Sequence, residues 1–305
     1  MIAVVGSFNM DLFIEVSRFP VPGEAIHGKN FRRASGGKGA NQAYAIARMG
    51  RKSAIIGAVG RDLFGDEMLA NLRAAGVDIS GVVRRGDVAS GTAMIVLDAA
   101  GQNQIVVANG ANNTLTADEV KRHAALFKQS KAVITQLETT LEATAAALRA
   151  ARQGGAIAVL NPAPFIPVCD ELLCLCDWII PNEGEATKLS GIKVGSIESA
   201  AKAARAIKER SQCPNVIVTL GANGVWIDAG SSTGHIPGFC VQALDTVGAG
   251  DTFIGAFAVQ LAEGADARES ARFGCAAAAI SVTRRGAQAS MPTRAEVERF
   301  LRTAR

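Results

Sequence analysis

The feature that most constrains this chain is an alternation repeated along most of its length. Continuous runs rich in Val and Ile, at residues 2–5, 54–59, 132–136, 156–160, 178–180 and 216–220, are separated by stretches with helical spacing. The helical stretches cover 39–49, 66–75, 117–128, 141–153 and 197–210. Apolar runs without polar alternation belong to strands buried on both faces. A chain that returns to such a strand after each helix predicts a doubly wound α/β fold, with a mostly parallel sheet and helices on both faces. The helix ends carry matching signals. Thr116 with Glu119 and Thr293 with Glu296 are spaced as capping boxes, and Gly50 and Gly76 stand where helices stop.

Two regions break the alternation. Segments 11–19 and 25–34 read as strands around a Pro20-Val21-Pro22-Gly23 turn, and 91–98 with 104–109 read as a hairpin closed at 99–103. Neither pair has a helix attached. We therefore expect a small second sheet, inserted as segments 11–34 and 91–109 and suited to act as a lid. The 305 residues admit one large domain or two smaller ones. No linker, repeat or low-complexity segment divides them, so 1–305 reads as one domain with its lid.

Composition narrows the function classes. Hydrophobic residues make up 49% and charged residues 20%, which excludes bulk disorder. The net charge is +4, but Lys and Arg are dispersed, unlike the clustered charge of a nucleic-acid or membrane-surface protein. No apolar run reaches the roughly 18 residues that span a bilayer. The start, MIAVVGSFNMD, reads as a strand entering a turn and not as a signal peptide. Cys169, Cys174, Cys176, Cys213, Cys240 and Cys275 form no C-x-x-C pair and are expected to be buried, reduced thiols of a cytoplasmic enzyme.

In open α/β sheets ligands bind beyond the carboxyl ends of the strands. Several predicted strands run into polar groups there: Gly6-Ser7-Phe8-Asn9-Met10-Asp11, Gln136-Leu137-Glu138, Asn161-Pro162-Ala163-Pro164, Pro181-Asn182-Glu183-Gly184-Glu185 and Gly221-Ala222-Asn223-Gly224. Each alone is an ordinary turn; together they outline a crevice. Two glycine clusters sharpen it. Ser35-Gly36-Gly37-Lys38-Gly39-Ala40-Asn41 precedes a helix but lacks the spacing of a P-loop. Its glycines allow close approach to a ligand, and Lys38 and Asn41 are either sugar-hydroxyl partners or helix-start residues. Asp245-Thr246-Val247-Gly248-Ala249-Gly250-Asp251-Thr252-Phe253 opens an apolar helix, where free N–H groups form an anion site. There Asp251 is either a first-turn carboxylate favoured by the helix dipole or a general base beside a phosphoryl group; the local sequence leaves both open.

These motifs, in this order from about Val4 to Ser290, resemble the ribokinase group of the phosphofructokinase-B-type carbohydrate kinases. The resemblance rests on Gly36-Gly37-Lys38-Gly39-Ala40-Asn41-Gln42-Ala43, on the segment 245–253, on the strand-end elements above with Thr219-Leu220-Gly221, and on Thr283-Arg284-Arg285-Gly286-Ala287-Gln288. It implies a kinase that moves phosphoryl from ATP to the 5-hydroxyl of D-ribose, giving D-ribose 5-phosphate and ADP. Other acceptors within the family are 2-deoxyribose, fructose or a nucleoside; a nucleoside needs an aromatic slot, and Tyr44 is the single tyrosine beside two tryptophans. A non-catalytic sugar-binding protein would not need Asp251, and Gly6-Ser7-Phe8-Asn9 does not complete a dinucleotide fingerprint.

The resemblance also implies roles. Asn9, Met10 and Asp11, with Gly37, Lys38, Gly39, Ala40, Asn41, Glu138 and Asp251, form the sugar side. Asp251 is the base, and Gly248, Ala249 and Gly250 form the anion hole. Asn182, Thr219, Leu220, Gly221, Ala222, Asn223, Gly224, Gly250, Asp251 and Cys275 belong to the nucleotide pocket. Glu185 acts indirectly on Mg²⁺. Asp245, Val247, Ser281, Arg284, Gly286 and Ser290 surround a monovalent cation, K⁺. The lid is expected to pair two copies into a homodimer, with no nucleic-acid or membrane partner.

Overall fold

The computed structural model describes residues 1–100 and 102–304. Gly101, within the expected lid segment 91–109, and Arg305, the last residue of the expected domain, lie outside the described residues. In chain order, β1 (Ile2–Val5) leads into β2 (Asn9–Glu15) and β3 (Lys29–Gly36), then α1 (Lys38–Arg48), β4 (Ser53–Gly60), α2 (Leu63–Ala74) and β5 (Asp78–Arg85). Next come β6 (Gly91–Leu97), β7 (Asn103–Ala108), α3 (Ala117–Lys121), α4 (Ala124–Gln129), β8 (Ala132–Thr135), α5 (Leu141–Gly154), β9 (Ile157–Leu160), α6 (Asp170–Leu173) and β10 (Trp178–Ile179). The chain closes with α7 (Glu183–Ser190), α8 (Ile197–Ser211), β11 (Asn215–Thr219), β12 (Val225–Asp228), β13 (Gly234–Ile236), α9 (Ala249–Ala262), α10 (Ala267–Ser281) and α11 (Arg294–Thr303).

The nine-stranded main sheet runs β13-β12-β11-β10-β9-β8-β1-β4-β5. From β11 to β5 all pairings are parallel; β12 and β13 add an antiparallel edge. Strand alternation splits the core into two layers. Ile2 and Val4 of β1 face a layer built with α1, α2, α9 and α10, whereas Ala3 and Val5 face one built with α5, α7 and α8. Each buried Val or Ile in these layers stabilises the fold by roughly 1.5–3 kcal/mol. Trp178 stands edge-on to Phe257 at 4.9 Å and fixes α9 under the sheet. β1 has β4 on one side and β8 on the other. The winding direction therefore reverses at β1, and a crevice opens at the carboxyl ends there.

The second sheet, β3-β2-β6-β7, is the expected lid. Its β2 and β6 run parallel, and the outer pairs are antiparallel. The strands expected at 11–19 and 25–34 are displaced. The first stops at Glu15 and the second begins at Lys29, because 16–28 is a loop held by Arg18–Glu24 pairing and a Glu24 side chain that accepts the Val21 N–H. Phe13, Ala93 and Ile95 form a small core of its own. Asp62 anchors the lid base. It caps α2 through the Gly65 N–H at 2.8 Å and accepts from the Ser90 N–H and hydroxyl, each at 2.7 Å, just before β6.

Some expectations are corrected. The helix expected at 117–128 is two short helices, because tighter bonds from the His123 N–H to the Val120 carbonyl and from the Leu126 N–H to the His123 carbonyl break it. β5, β12 and β13 carry no continuous apolar run, since each lies at or next to a sheet edge. Cys169 and Cys240 are exposed and Cys174 is half-buried; of the expected buried thiols only Cys176, Cys213 and Cys275 are buried. No described helix is long and apolar enough to cross a membrane.

Candidate active site

The two glycine-rich helix starts meet at the crevice, and they differ in one respect that decides their chemistry. At α1 the N–H groups are already used: Lys38 donates to the Glu138 carboxylate at 3.1 Å, Gly39 to the Ser7 hydroxyl at 3.3 Å and Ala40 to the Ser7 carbonyl at 2.9 Å. The glycines here let the backbone of the 6–9 segment approach closely. A Cβ on Gly39 would lie 2.5 Å from Gly6 and Ser7 backbone, and one on Gly37, at φ 89°, would lie 2.6 Å from the Asn9 nitrogen. At α9 the situation is reversed. Gly248 holds the N-cap position at φ 76° with no side-chain cap, and among the described residues the Gly250 and Asp251 N–H groups meet no acceptor. Unsatisfied N–H groups at a helix start are an anion site.

Asp251, in the first turn of α9, is buried. Its Oδ2 accepts from the Asn41 amide and its Oδ1 from the Gln42 amide, each at 2.9 Å. Burial raises its proton affinity above the ordinary aspartate value, while Lys38 and the Asn41 and Gln42 amides pull the other way. Asp11, on β2, is pushed up to about 7 by burial and by the charges of Glu138 and Asp251. Burial also raises Glu138, opposed by Lys38 and by hydrogen bonds from Ser7 and the Lys38 N–H. Burial works against the Lys38 ammonium, but Asp251, Glu138 and Glu185 around it carry its pKa above the usual lysine value. Asn9 is buried and shares its Oδ1 with the Asn112 amide at 2.9 Å. Met10 lies between Asn9 and Asp11 on the opposite face of β2, with its side chain fully buried in the main core.

A cleft of about 760 Å³ opens on the other side of Asp251. Lys38, Asn182, Glu185, Thr219, Gly221, Ala222, Gly224 and Cys275 line it together with the 248–251 turn. Leu220 and Asn223 of the expected nucleotide set do not; the Leu220 side chain belongs to the core, and the Asn223 carbonyl meets the His235 ring at 2.7 Å. Asn182 and Glu185 form a third capping box, with Glu185 accepting from the Asn182 N–H at 2.9 Å. Burial lifts Glu185 above its ordinary value, against that bond. The sequence reading missed the apolar wall made by Phe239, Val241 and Val282. The signal for Phe239 and Val241 is a run between β13 and α9 that fits no regular element, whereas Val282 directly follows α10.

Beside the anion site, Asp245 joins two segments. It accepts from the Val247 N–H at 3.0 Å and the Gly286 N–H at 2.8 Å. Ser281 and Ser290 donate their hydroxyls to the Ala278 and Ala287 carbonyls, and the Ser281 carbonyl accepts the Arg284 N–H. Among the described residues no group of three or more His, Cys, Asp or Glu side chains is arranged to hold a metal ion.

Residues 1–294 match the pfkB family of carbohydrate kinases. The chain belongs to this family. Among pfkB relatives, ribokinase of Haemophilus influenzae is 44% identical over 303 residues, 99% of each chain. A deoxyribokinase of Salmonella typhi is 35% identical, covering 98% of both. A solved Arabidopsis thaliana ribokinase, complexed with ribose and ATP, superposes with a TM-score of 0.92 at 31% identity and covers 99% of both chains. The ribokinase-like architecture, a mostly parallel sheet with a separate lid, is shared with these pfkB proteins, and this chain is a carbohydrate kinase.

Proposed function

We propose that this enzyme transfers the γ-phosphoryl group of ATP to the 5-hydroxyl of D-ribose, giving D-ribose 5-phosphate and ADP. The observation that carries the reading is the uncapped start of α9, with Asp251 buried between the cleft and the Asn41–Lys38 side. The acceptor is held by Asn9, Asp11, Asn41 and Glu138, with Lys38 and the 37–40 backbone around it. The adenine nucleotide occupies the cleft, its phosphates directed toward the 248–250 turn, where, among the described residues, the Gly250 N–H is free and the Ala249 N–H is shared with the Thr246 carbonyl at 3.3 Å. The hydroxyl oxygen attacks the γ-phosphorus, the bond to the β–γ bridging oxygen breaks, ADP leaves and Asp251 takes the hydroxyl proton. Its raised proton affinity suits a base that must accept a proton near neutral pH. The remaining work is positioning and charge stabilisation.

Mg²⁺ takes few protein carboxylates and keeps several waters. Glu185, at the cleft wall beside Asn182, fits contact through such water, and the ion would neutralise phosphate charge. The oxygen-only donors around Asp245, Val247, Ser281, Arg284, Gly286 and Ser290 suit a monovalent ion of K⁺ type. Held there, it would order the loop leading into the anion hole. Free thiols and an ATP substrate suit a reducing, cytoplasmic setting. The similarity to a deoxyribokinase makes 2-deoxyribose the second acceptor to test. Coupled ADP release across pentoses, hexoses and nucleosides, titrated with KCl against choline chloride at constant ionic strength, is the direct assay. Fastest turnover with ribose and a K⁺-dependent kcat are expected. Turnover confined to another acceptor overturns the substrate, and a flat K⁺ response overturns the cation site.

A further inference from the structure

Behind Asp251 lies a network of side-chain amides, of which only Asn41 and Asn161 also belong to the substrate pockets. One arm runs from Asn71 on α2 to Gln288, which donates to the Asn41 Oδ1 at 3.0 Å; Asn41 in turn donates to Asp251 at 2.9 Å. The other arm runs from Gln136, at the end of β8, to the Gln42 Oε1 at 2.7 Å, and Gln42 donates to Asp251 at 2.9 Å. Gln42 and Gln136 are buried, as is Gln288. An amide can face either way, so the direction of such a chain needs an anchor. For the Gln42 arm a backbone supplies it. Asn161 donates to the Ile180 carbonyl at 2.9 Å, which accepts only. The Asn161 oxygen must then face Gln42, which donates to it at 3.2 Å. Gln42 therefore presents its NH₂ group to Asp251 and its oxygen to Gln136. The orientation is enforced from outside the carboxylate.

We propose that Gln42 and Gln288 are positioning residues, and that this one-way amide chain aims two donors at Asp251 so that its carboxylate is held ionised, in one rotamer, before substrate arrives. A protonated carboxyl needs an acceptor, and the chain offers it two donors. Gln288 adds a mechanical link. It follows Gly286, whose N–H binds Asp245, and Ala287, which would stand 3.0 Å from a Cβ on Gly248. Three successive residues thus touch the loop before the anion site, the anion site itself and the residue that aims the base. The charged groups around Asp251 are Lys38 on α1, Asp11 on β2, Glu138 after β8 and Glu185 on α7. None of them is changed by substituting Gln42 or Gln288.

The proposal rests on Asp251 being the base of a sugar kinase, and its test separates the two. Two readouts are taken on Gln42→Leu and Gln42→Glu: the carbon-13 titration of the Asp251 carboxyl without substrate, assigned with Asp251→Asn, and the acid limb of kcat/KM for ribose. Loss of one donor to a carboxylate should move both upward by roughly one unit or more in Gln42→Leu. Activity then falls further at the acid end of the profile than in the wild type and recovers as pH rises. Gln42→Glu, which puts a second carboxyl beside the first, should move them further. Gln288→Leu should shift them in the same direction and raise the ribose KM; adding Asn71→Leu to it should change little more, since the arm is already cut. It also carries the test if Gln42→Leu does not fold. Folded variants whose carboxyl titration and acid limb stay at wild-type positions, with activity reduced equally at every pH, overturn the proposal. Absence of ribose phosphorylation by the wild type would instead overturn the ribose reading of the proposed function, while the carboxyl titration still decides the amide chain.

Discussion

At the scale of single residues, Asp251 and Asp11 are two buried carboxyls with different partners, and their partners set different tasks. Asp251 has two amide donors and a lysine nearby; Asp11 has burial and two like charges. Asp251→Asn keeps the shape and removes the basic oxygen. It should lower kcat by roughly 10²–10⁴, the span of general-base loss, with ribose affinity much less changed; a variant retaining about a tenth of wild-type kcat or more would reduce Asp251 to a helix-start carboxylate. Asp11, at about 7, should lose its charge as pH falls below neutrality, so the ribose KM should rise there while the ATP KM does not. The same shift affects stability with a definite sign. Between its ordinary value near 4 and about 7, the folded protein binds a proton that the unfolded chain does not, so stability falls as pH rises through that window. Asp11→Asn should therefore raise Tm at pH 8, by roughly 2–4 °C per kcal/mol released, with the gain vanishing toward pH 4. Thermal melts at pH 8 and 4.5 would show it; an unchanged Tm at pH 8 would contradict the strain assigned to Asp11. Both carboxyls were visible in the sequence as polar residues at strand and helix ends. Gln42, the amide partner of Asp251, was present in the quoted motif yet silent, because a buried glutamine one residue after a helix-start asparagine has no spacing that distinguishes it from a core-facing one. The burial of Met10 in the main core was not legible from its neighbours Asn9 and Asp11, because a strand sends adjacent residues to opposite faces.

At the scale of elements, the two glycine-rich helix starts look alike in sequence and act differently. What separates them is occupancy of their N–H groups by Ser7 and Glu138, residues remote in sequence, which no local pattern reports. Within α9 the glycines also differ. Gly248 is at φ 76° with Ala287 close by, whereas a Cβ on Gly250 would meet nothing within 4 Å. Gly248→Ala should lower both Tm and kcat. Gly250→Ala should leave Tm unchanged and still cost roughly tenfold to 10² in kcat, because its methyl would intrude on the proposed phosphoryl site. Equal losses of stability in the two variants would argue that both positions serve folding alone. The inner strands were legible because burial on both faces leaves a continuous apolar run. β5, β12 and β13 were not, because strands at or beside an edge are buried less uniformly, as the mixed burial of β5 shows.

At the scale of the molecule, the lid leaves Met94, Ile105, Val106 and Val107 more than two-fifths exposed on β6 and β7, and Phe31 on β3. Contiguous apolar strands of this kind are unusual on a monomer. We propose that they pair two copies. Sedimentation at micromolar concentration should give a dimer, and Ile105→Lys with Val107→Lys should give monomers; a wild-type monomer of full activity would remove the argument. That a lid exists was readable from two strand pairs lacking helices. Its join to the body was not, since Asp62 and Ser90 are ordinary turn residues until the fold brings them together.

The proposed acceptor residues Asn9 and Asp11 ride on β2, a lid strand, whereas Asp251 rides on α9, packed under the main sheet by Phe257 and Trp178. Part of the proposed recognition is thus carried on a lid strand, while Asn41, Glu138 and the transfer machinery ride on the body. Such an arrangement is retargetable. Exchanging the lid strand for that of a relative with another acceptor would rewrite which molecule is chosen while the machinery that moves the phosphoryl group stays in place.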